Sequence, residues 1–466
     1  MDRLSEKAQS HIDKIATSEM YGEVTKILGL LVEIAGFGST LSIGAMCHLR
    51  PHSGEDVPCE VVGFKDGHAL LMPFGTLDGI GLGCRAIIQD KPLAIMPDER
   101  WLGRVVNAMG QPIDGKGPIY EGANAVPLKN KPPAPHSRQR LGPQLDLGVR
   151  AVNSFLATCQ GQRMGIFSGS GVGKSVLLSM MARYTAADIS VIGLVGERGR
   201  EVQEFLEDDL GPEGLARSVV VVATGDEPAL MRRQAAYTTM AISEYFRGQG
   251  KQVLCLIDSV TRFAMAQREI GLSAGEPPTS KGYPPTTFGE LARLLERAGP
   301  GGPGEGSITG LFSVLVEGDD HNEPISDAVR GIIDGHIVMQ RDIADRGRYP
   351  AINILKSISR SMPRAFTQEQ NDIIRRAKQI ITTYEDMAEL IRLGAYRRGS
   401  DPAVDEALVL YPQIEEFLTQ NKDEQTLIEE GFERLAGIIG MPYGDNYGAQ
   451  NFDAQPPFNE HPIERE

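Results

Sequence analysis

The stretch Met164-Gly-Ile-Phe-Ser-Gly-Ser-Gly-Val-Gly-Lys-Ser175 constrains this chain more than any other feature. A short apolar run leads into a glycine-rich turn, then Lys174-Ser175, then the helix-forming VLLSMMARYT. Gly169, Gly171 and Gly173 let the backbone curl until its N–H groups point at an anion. The helix start behind them adds a favourable dipole. This strand, loop and helix form the context a phosphate-binding P-loop requires. The strict pattern has glycine where Ser168 stands, and a small residue suffices there. The expected nucleotide cradle is Gly169, Ser170, Gly171, Val172, Gly173, Lys174, Ser175 and Val176. Lys174 is placed to reach the β and γ phosphates, and the Ser175 hydroxyl to ligate Mg²⁺.

The loop belongs to a longer pattern. Short apolar runs at 164–167, 191–195, 219–223, 253–257, 311–316 and 336–339 recur with helical stretches between most of them. Such runs predict a parallel sheet covered on both faces. Ligands of open α/β sheets sit beyond the carboxyl ends of the strands, so the residues that end each run are the candidates for chemistry. These are Glu197-Arg198, Asp258-Ser259 and Glu317-Gly318-Asp319-Asp320. Asp258 has the form of a Walker-B aspartate, holding Mg²⁺ through a water. Glu197 is the candidate to polarise an attacking water. Spacing alone weighs that role equally against an ion pair with Arg198 or Arg200.

Length and composition bound the rest. At roughly 150 residues per domain the chain holds about three domains, and its 466 residues carry a net charge of −15. That balance opposes a surface that coats nucleic acid or an anionic membrane. Five cysteines with no CxxC spacing argue against zinc and disulfide frameworks and predict reduced thiols in the cytoplasm. No secretory signal and no membrane span are expected. Residues 1–20 have near-helical apolar spacing and predict an amphipathic helix, either a packed end or a partner-binding handle. Residues 21–97 read as a small all-β barrel or sandwich, and 98–367 as the P-loop domain. Residues 368–440 read as a helical domain, with a capping box at Thr367 and Gln370 and an Asp401-Pro402 helix start. Residues 441–466 predict a disordered acidic tail.

Five segments together carry a resemblance: GSGVGKSVLL, IGLVGERGREVQEF, LCLIDSVTRFAMAQREI, GEPPTSKGYPPTTFGELARLLERAG and ILKSISRSMP. In this order and spacing the chain resembles the rotary-ATPase-related type III export ATPases. Within them it is most similar to the flagellum-specific ATPases (flagellum-specific ATP synthases), whose fold is similar to the β subunit of F-type ATP synthase. Ala292 departs from the proline usual in that family's LPRLLER stretch. The resemblance implies a RecA-like P-loop core, an N-terminal β-barrel and a C-terminal helical domain. It implies Mg²⁺-dependent ATP hydrolysis that energises or primes flagellar protein export. It makes Glu197 the catalytic glutamate and Arg360 an arginine finger entering a neighbouring subunit's site. Tyr349 becomes the aromatic that stacks on adenine, while Arg198 and Arg262 line the pocket. The implied partners are five further copies in a homohexamer, a stator-like regulator at the N-terminal helix, and the export gate with exported proteins and their chaperones. The implied location is the cytoplasmic side of the inner membrane.

Three other readings compete: a virulence-injectisome ATPase, a non-catalytic nucleotide-binding ring subunit and an RNA translocase of the Rho type. Glu197 opposes the non-catalytic subunit. The acidic balance and the lack of a basic, aromatic N-terminal surface oppose the translocase. The GSGVGKSVLL wording, with Val172, favours the flagellar enzymes over the injectisome ones.

Overall fold

The computed structural model describes residues 20–37, 40–89, 93–316 and 323–444. The predicted N-terminal helix and the acidic run at 317–320 therefore lie outside the described residues, as does the predicted tail from Asp445 onward.

Six short strands open the chain: β1 (Tyr21–Leu28), β2 (Leu31–Ala35), β3 (Met46–Arg50), β4 (Val57–Lys65), β5 (His68–Pro73) and β6 (Arg85–Gln89). They close into a barrel in the order β1-β2-β5-β4-β3-β6, with β6 pairing back onto β1. Closure removes the exposed edges that an open sandwich would leave, and it resolves the barrel-or-sandwich choice. Val24, Val32, Ile34, Leu49, Val61 and Leu71 fill the interior. Cys47 and Cys59 face each other across β3 and β4 as free, buried thiols. Burial pushes the Cys47 thiol up to about 12, so it behaves as a small apolar side chain.

Next, β7 (Ala94–Ile95) pairs with β9 (Val126–Pro127), and β8 (Arg104–Asn107) joins the edge of the central sheet. The remaining strands are β10 (Arg163–Ser168), β11 (Ile189–Glu197), β12 (Ser218–Thr224), β13 (Gln252–Asp258), β14 (Gly299–Pro300), β15 (Ser307–Leu315), β16 (Gly335–Met339) and β17 (Ile352–Ser359). The sheet runs β17-β16-β10-β15-β13-β11-β12-β8, with β14 off that path beside β15. Its pairings are parallel except β16 with β17 and β14 with β15, which are antiparallel. Strand residues alternate between two cores, as the period of two requires. Ile192, Leu194, Val220, Val222, Leu254 and Leu256 face one core; Val191, Val195, Val219, Val221, Val253 and Ile257 face the other.

Helices cover both faces. Ala229–Gly248, Val260–Ser273 and Pro285–Leu295 build one layer. Opposite lie Lys174–Tyr184 and the C-terminal helices Gln368–Arg392, Pro402–Leu418 and Ile428–Ile439. The first of these C-terminal helices begins at the capping box of Thr367 and Gln370, the second at an Asp401 cap with Pro402, and the third ends at left-handed Gly440. Met441 and Tyr443, expected at the start of a disordered tail, instead pack on this helical layer. The Tyr443 ring stacks on Phe432, and its hydroxyl accepts from Gln370 Nε2 at 3.0 Å.

Candidate functional site

The carboxyl ends of β10, β11, β13, β15 and β16 meet at one mouth, because parallel pairing keeps them in step. Ser168 lies level with Leu315 and Met339, and Leu194 with Asp258. There β10 breaks into the glycine-rich loop. Gly171 and Gly173 take φ of 75° and 84°, a left-handed backbone that glycine adopts without a Cβ penalty. The helix from Lys174 follows with no side-chain cap at Gly173, so its first N–H groups are left for an anion.

A cavity of about 620 Å³ opens over this loop. Gly169, Ser170, Gly171, Gly173, Lys174, Ser175 and Val176 line it from the loop side. Val172 is buried in the core beneath, so only its backbone can serve the cradle. Across the cavity stand Glu197, Arg198 and Arg262. Arg262 is held by the Ser259 cap, whose side chain accepts from its backbone N–H. Its stem packs where a Cβ on Gly196 would fall, 2.9 Å away. Arg198 reaches the rim but pairs with Glu201 at 3.2 Å, and most of its side chain is in solvent.

Lys174 is the electrostatic centre. Its Nζ contacts Asp258 directly and lies 3.7 Å from Glu197 Oε1. Burial disfavours the ammonium, yet the two carboxylates outweigh it and hold the Lys174 pKa above the usual lysine value. Asp258 also accepts from Ser313 Oγ at 2.5 Å. Glu197 is placed differently. Its Oε1 is buried without a hydrogen-bond partner. Burial, then the charge of Asp258, raises its pKa to about 7 against the pull of Lys174 and Arg262. A carboxylate titrating near neutrality in a cleft is suited to accept a proton.

Two predicted residues lie elsewhere. The Tyr349 ring packs against the loop, since a Cβ on Gly173 would sit 3.3 Å from Tyr349 Cδ1. The residue is 45% exposed, outside the cavity lining, and its carbonyl accepts from Gln420 N at 2.8 Å. Arg360 follows β17, whose last residue Ser359 is level with Gly335, and Gly335 is level with Met164 at the start of β10. The glycine-rich loop leaves the other end of β10, about 13 Å away at roughly 3.3 Å per residue. Arg360 is exposed and does not line the cavity of its own chain.

One contact escaped the sequence reading. Arg341 lines the cavity, and its Nη2 donates to the Ser170 carbonyl at 2.7 Å. It stands two residues past the 336–339 run, so the strand-end rule applied to that run would have found it. Ser313, Thr261 and Met265 carry no comparable signal, because nothing local marks them as neighbours of the loop. Among the described residues no cluster of three or more His, Cys, Asp or Glu could hold a metal.

The comparisons fit this geometry. Residues 148–359 match the model of the ATP synthase alpha/beta family, nucleotide-binding domain, and 366–437 match the T3SS EscN ATPase C-terminal domain. The chain is 56% identical to the flagellum-specific ATP synthase of Caulobacter vibrioides, over 93% of this chain and 98% of that protein. It is 44% identical to the type 3 secretion system ATPase of Xanthomonas euvesicatoria, over 91% and 95% of the two chains. Among solved structures, the assembled ATPase EscN in complex with its central stalk EscO, from enteropathogenic E. coli, is similar at a TM-score of 0.82 and 39% identity. That match covers 90% of this chain and 100% of that one. With a phosphate loop, and with flagellar and type III secretion ATPases matched over nearly their full length, the chain belongs to the flagellum-specific ATP synthases and is an ATPase of the flagellar and type III secretion family.

Proposed function

We propose that the chain hydrolyses ATP to ADP and phosphate with Glu197 as general base, and that this turnover energises or primes export of flagellar proteins. The observation that carries the reading is the buried Glu197 Oε1, without a hydrogen-bond partner and 3.7 Å from the Lys174 ammonium. In this scheme the loop N–H groups and Lys174 bind the β and γ phosphates. Glu197 accepts the proton of a water as its oxygen bonds to the γ phosphorus, and the bond to the ADP oxygen breaks. Lys174 releases its hold on Glu197 when phosphate arrives, which leaves that carboxylate free to act.

Ser175 and Asp258 suit Mg²⁺ held largely by nucleotide and water, because such sites use only one or two protein groups. The cation would neutralise charge shared by the β and γ phosphates. Tyr349 stacks on adenine from its seat against Gly173. Arg360 serves the site of a neighbouring chain in a homohexameric ring, a reading supported by its place at the far edge of its own sheet and by the assembled state of EscN. The stalk bound to EscN supports a comparable partner here. The N-terminal segment, acting as a handle for a stator-like regulator, and the export gate with its substrates and chaperones complete the proposed assembly at the cytoplasmic face of the inner membrane. No described helix is long and apolar enough to cross a membrane, so attachment would be peripheral.

Single-turnover assays test the base. Glu197→Gln should retain ATP and lose roughly 10²–10⁴ in the cleavage step. A near-normal step would remove Glu197 from the mechanism.

A further inference from the structure

A groove of about 510 Å³ lies just past Arg360, between the 362–366 turn and the helix Gln368–Arg392. Its floor is apolar: Met362, Pro363, Phe366 and Ile374. Two cations border it, Arg364 and Lys378, and neither has a hydrogen-bond or ion-pair partner among the described residues. Arg375 is also there but is already held by Asp372 at 3.0 Å. Burial keeps the Lys378 ammonium below the ordinary lysine range, and no carboxylate opposes that effect. A partly buried, uncompensated cation is costly, so an anion fits beside it.

The chain supplies a suitable occupant. Residues 445–466 hold Asp445, Asp453, Glu460, Glu464 and Glu466 against a single Arg465, interspersed with Tyr447, Phe452, Phe458 and Ile463. The last described residue, Gly444, follows Tyr443, whose hydroxyl is tied to Gln370. Gln370 is one helical turn before Ile374 of the groove floor, on the same face. The acidic segment therefore starts beside the groove, and its 22 residues could extend about 70 Å. Length is not limiting.

We propose that the acidic segment 445–466 docks along this groove of its own chain, with carboxylates on Arg364 and Lys378 and aromatic side chains on the apolar floor. The inference stands on charge and connectivity and does not depend on the catalytic roles assigned above.

The test uses the full chain carrying Phe458→p-benzoylphenylalanine, irradiated and mapped by peptide mass spectrometry. The expected result is crosslinking within one chain to residues 362–378, at a yield independent of protein concentration. Arg364→Glu, at an exposed position, should cut that yield several-fold without changing the far-ultraviolet circular dichroism. Adding Asp453→Lys, Glu460→Lys and Glu464→Lys to it should restore part of the yield. Crosslinks that map elsewhere, or a yield indifferent to Arg364→Glu, would overturn the proposal. Crosslinks between chains that grow with concentration would also overturn it, because they would make a second copy the source of the segment.

Discussion

The Lys174 ammonium sits 3.7 Å from Glu197 Oε1 while touching Asp258, so one cation serves two carboxylates in the resting site. Asp258 takes the direct contact and a hydroxyl besides. Glu197 is left with the weaker share, and its pKa is raised to about 7 by burial and by Asp258. The competition for one lysine leaves Asp258 with the direct contact and Glu197 with the looser one.

A pH dependence follows with a definite sign. As the proposed base Glu197 can act only when deprotonated, so kcat/KM should rise about tenfold per pH unit below its pKa and level off above about 7. Stability runs the other way. The folded chain holds a proton on Glu197 between its ordinary value of 4.5 and about 7, where the unfolded chain does not. That contribution is present at low pH and is lost as pH rises through 7. Rate profiles and thermal melts of the wild type and Glu197→Gln check both, and the variant should lack both trends.

Tyr349 gives a binding prediction. Its ring leans on Gly173 and is nearly half exposed, which leaves a face for a planar base. Tyr349→Ala should weaken ATP binding by about 5- to 100-fold, the range of one aromatic stacking contact, while Tyr349→Phe stays near wild type. Fluorescent-nucleotide titration measures this, and an unchanged affinity in Tyr349→Ala would remove the ring from the base site.

Arg150 joins the motor to the helical domain. It is buried and ion-paired to Glu424, and its Nε donates to the Phe417 carbonyl at 2.8 Å. It thus satisfies the end of the helix Pro402–Leu418. Arg150→Ala would leave the Phe417 carbonyl without this donor, while Glu424, about a third exposed, keeps Arg434 nearby; the cost should be about 1–3 kcal/mol, the scale of a stranded buried acceptor. Denaturant titration reads that loss, and a change under about 1 kcal/mol would contradict the link.

The parts of this site legible in sequence are those encoded within a few residues. The loop 168–175 announces itself because strand, glycines and helix are contiguous, and the Thr367 and Asp401 caps because capping is local. Arg341 was within reach of the strand-end rule, two residues past the 336–339 run, but its partner was not: the contact with Ser170 depends on β16 lying beside β10, a pairing across 171 residues. Ser313 beneath Asp258 was hidden for the same reason. Arg360 is a third kind: resemblance implied its role, and neither spacing nor the single chain brings it to a phosphate. The barrel was readable as short alternating strands, whereas closure through β6 onto β1 needed the register.

The position of Arg360 yields the most discriminating experiment. It lies at the start of the parallel strands while the glycine-rich loop lies at their end, so in a proposed ring each site would combine the loop of one chain with the arginine of the next. Arg360→Ala should lower turnover by about 10³-fold or more, the scale of an arginine finger, and Lys174→Ala should abolish it. Mixed in equal amounts and allowed to assemble, the two inactive variants should regain activity. A site revives where an intact loop from Arg360→Ala meets an intact arginine from Lys174→Ala, which random mixing at a head-to-tail interface gives at about one site in four. If Arg360 acted within its own chain, no mixture could restore a complete site. Steady-state ATPase rates across mixing ratios, with a maximum near equal proportions, would establish the shared site; a flat, inactive series would place Arg360 outside it.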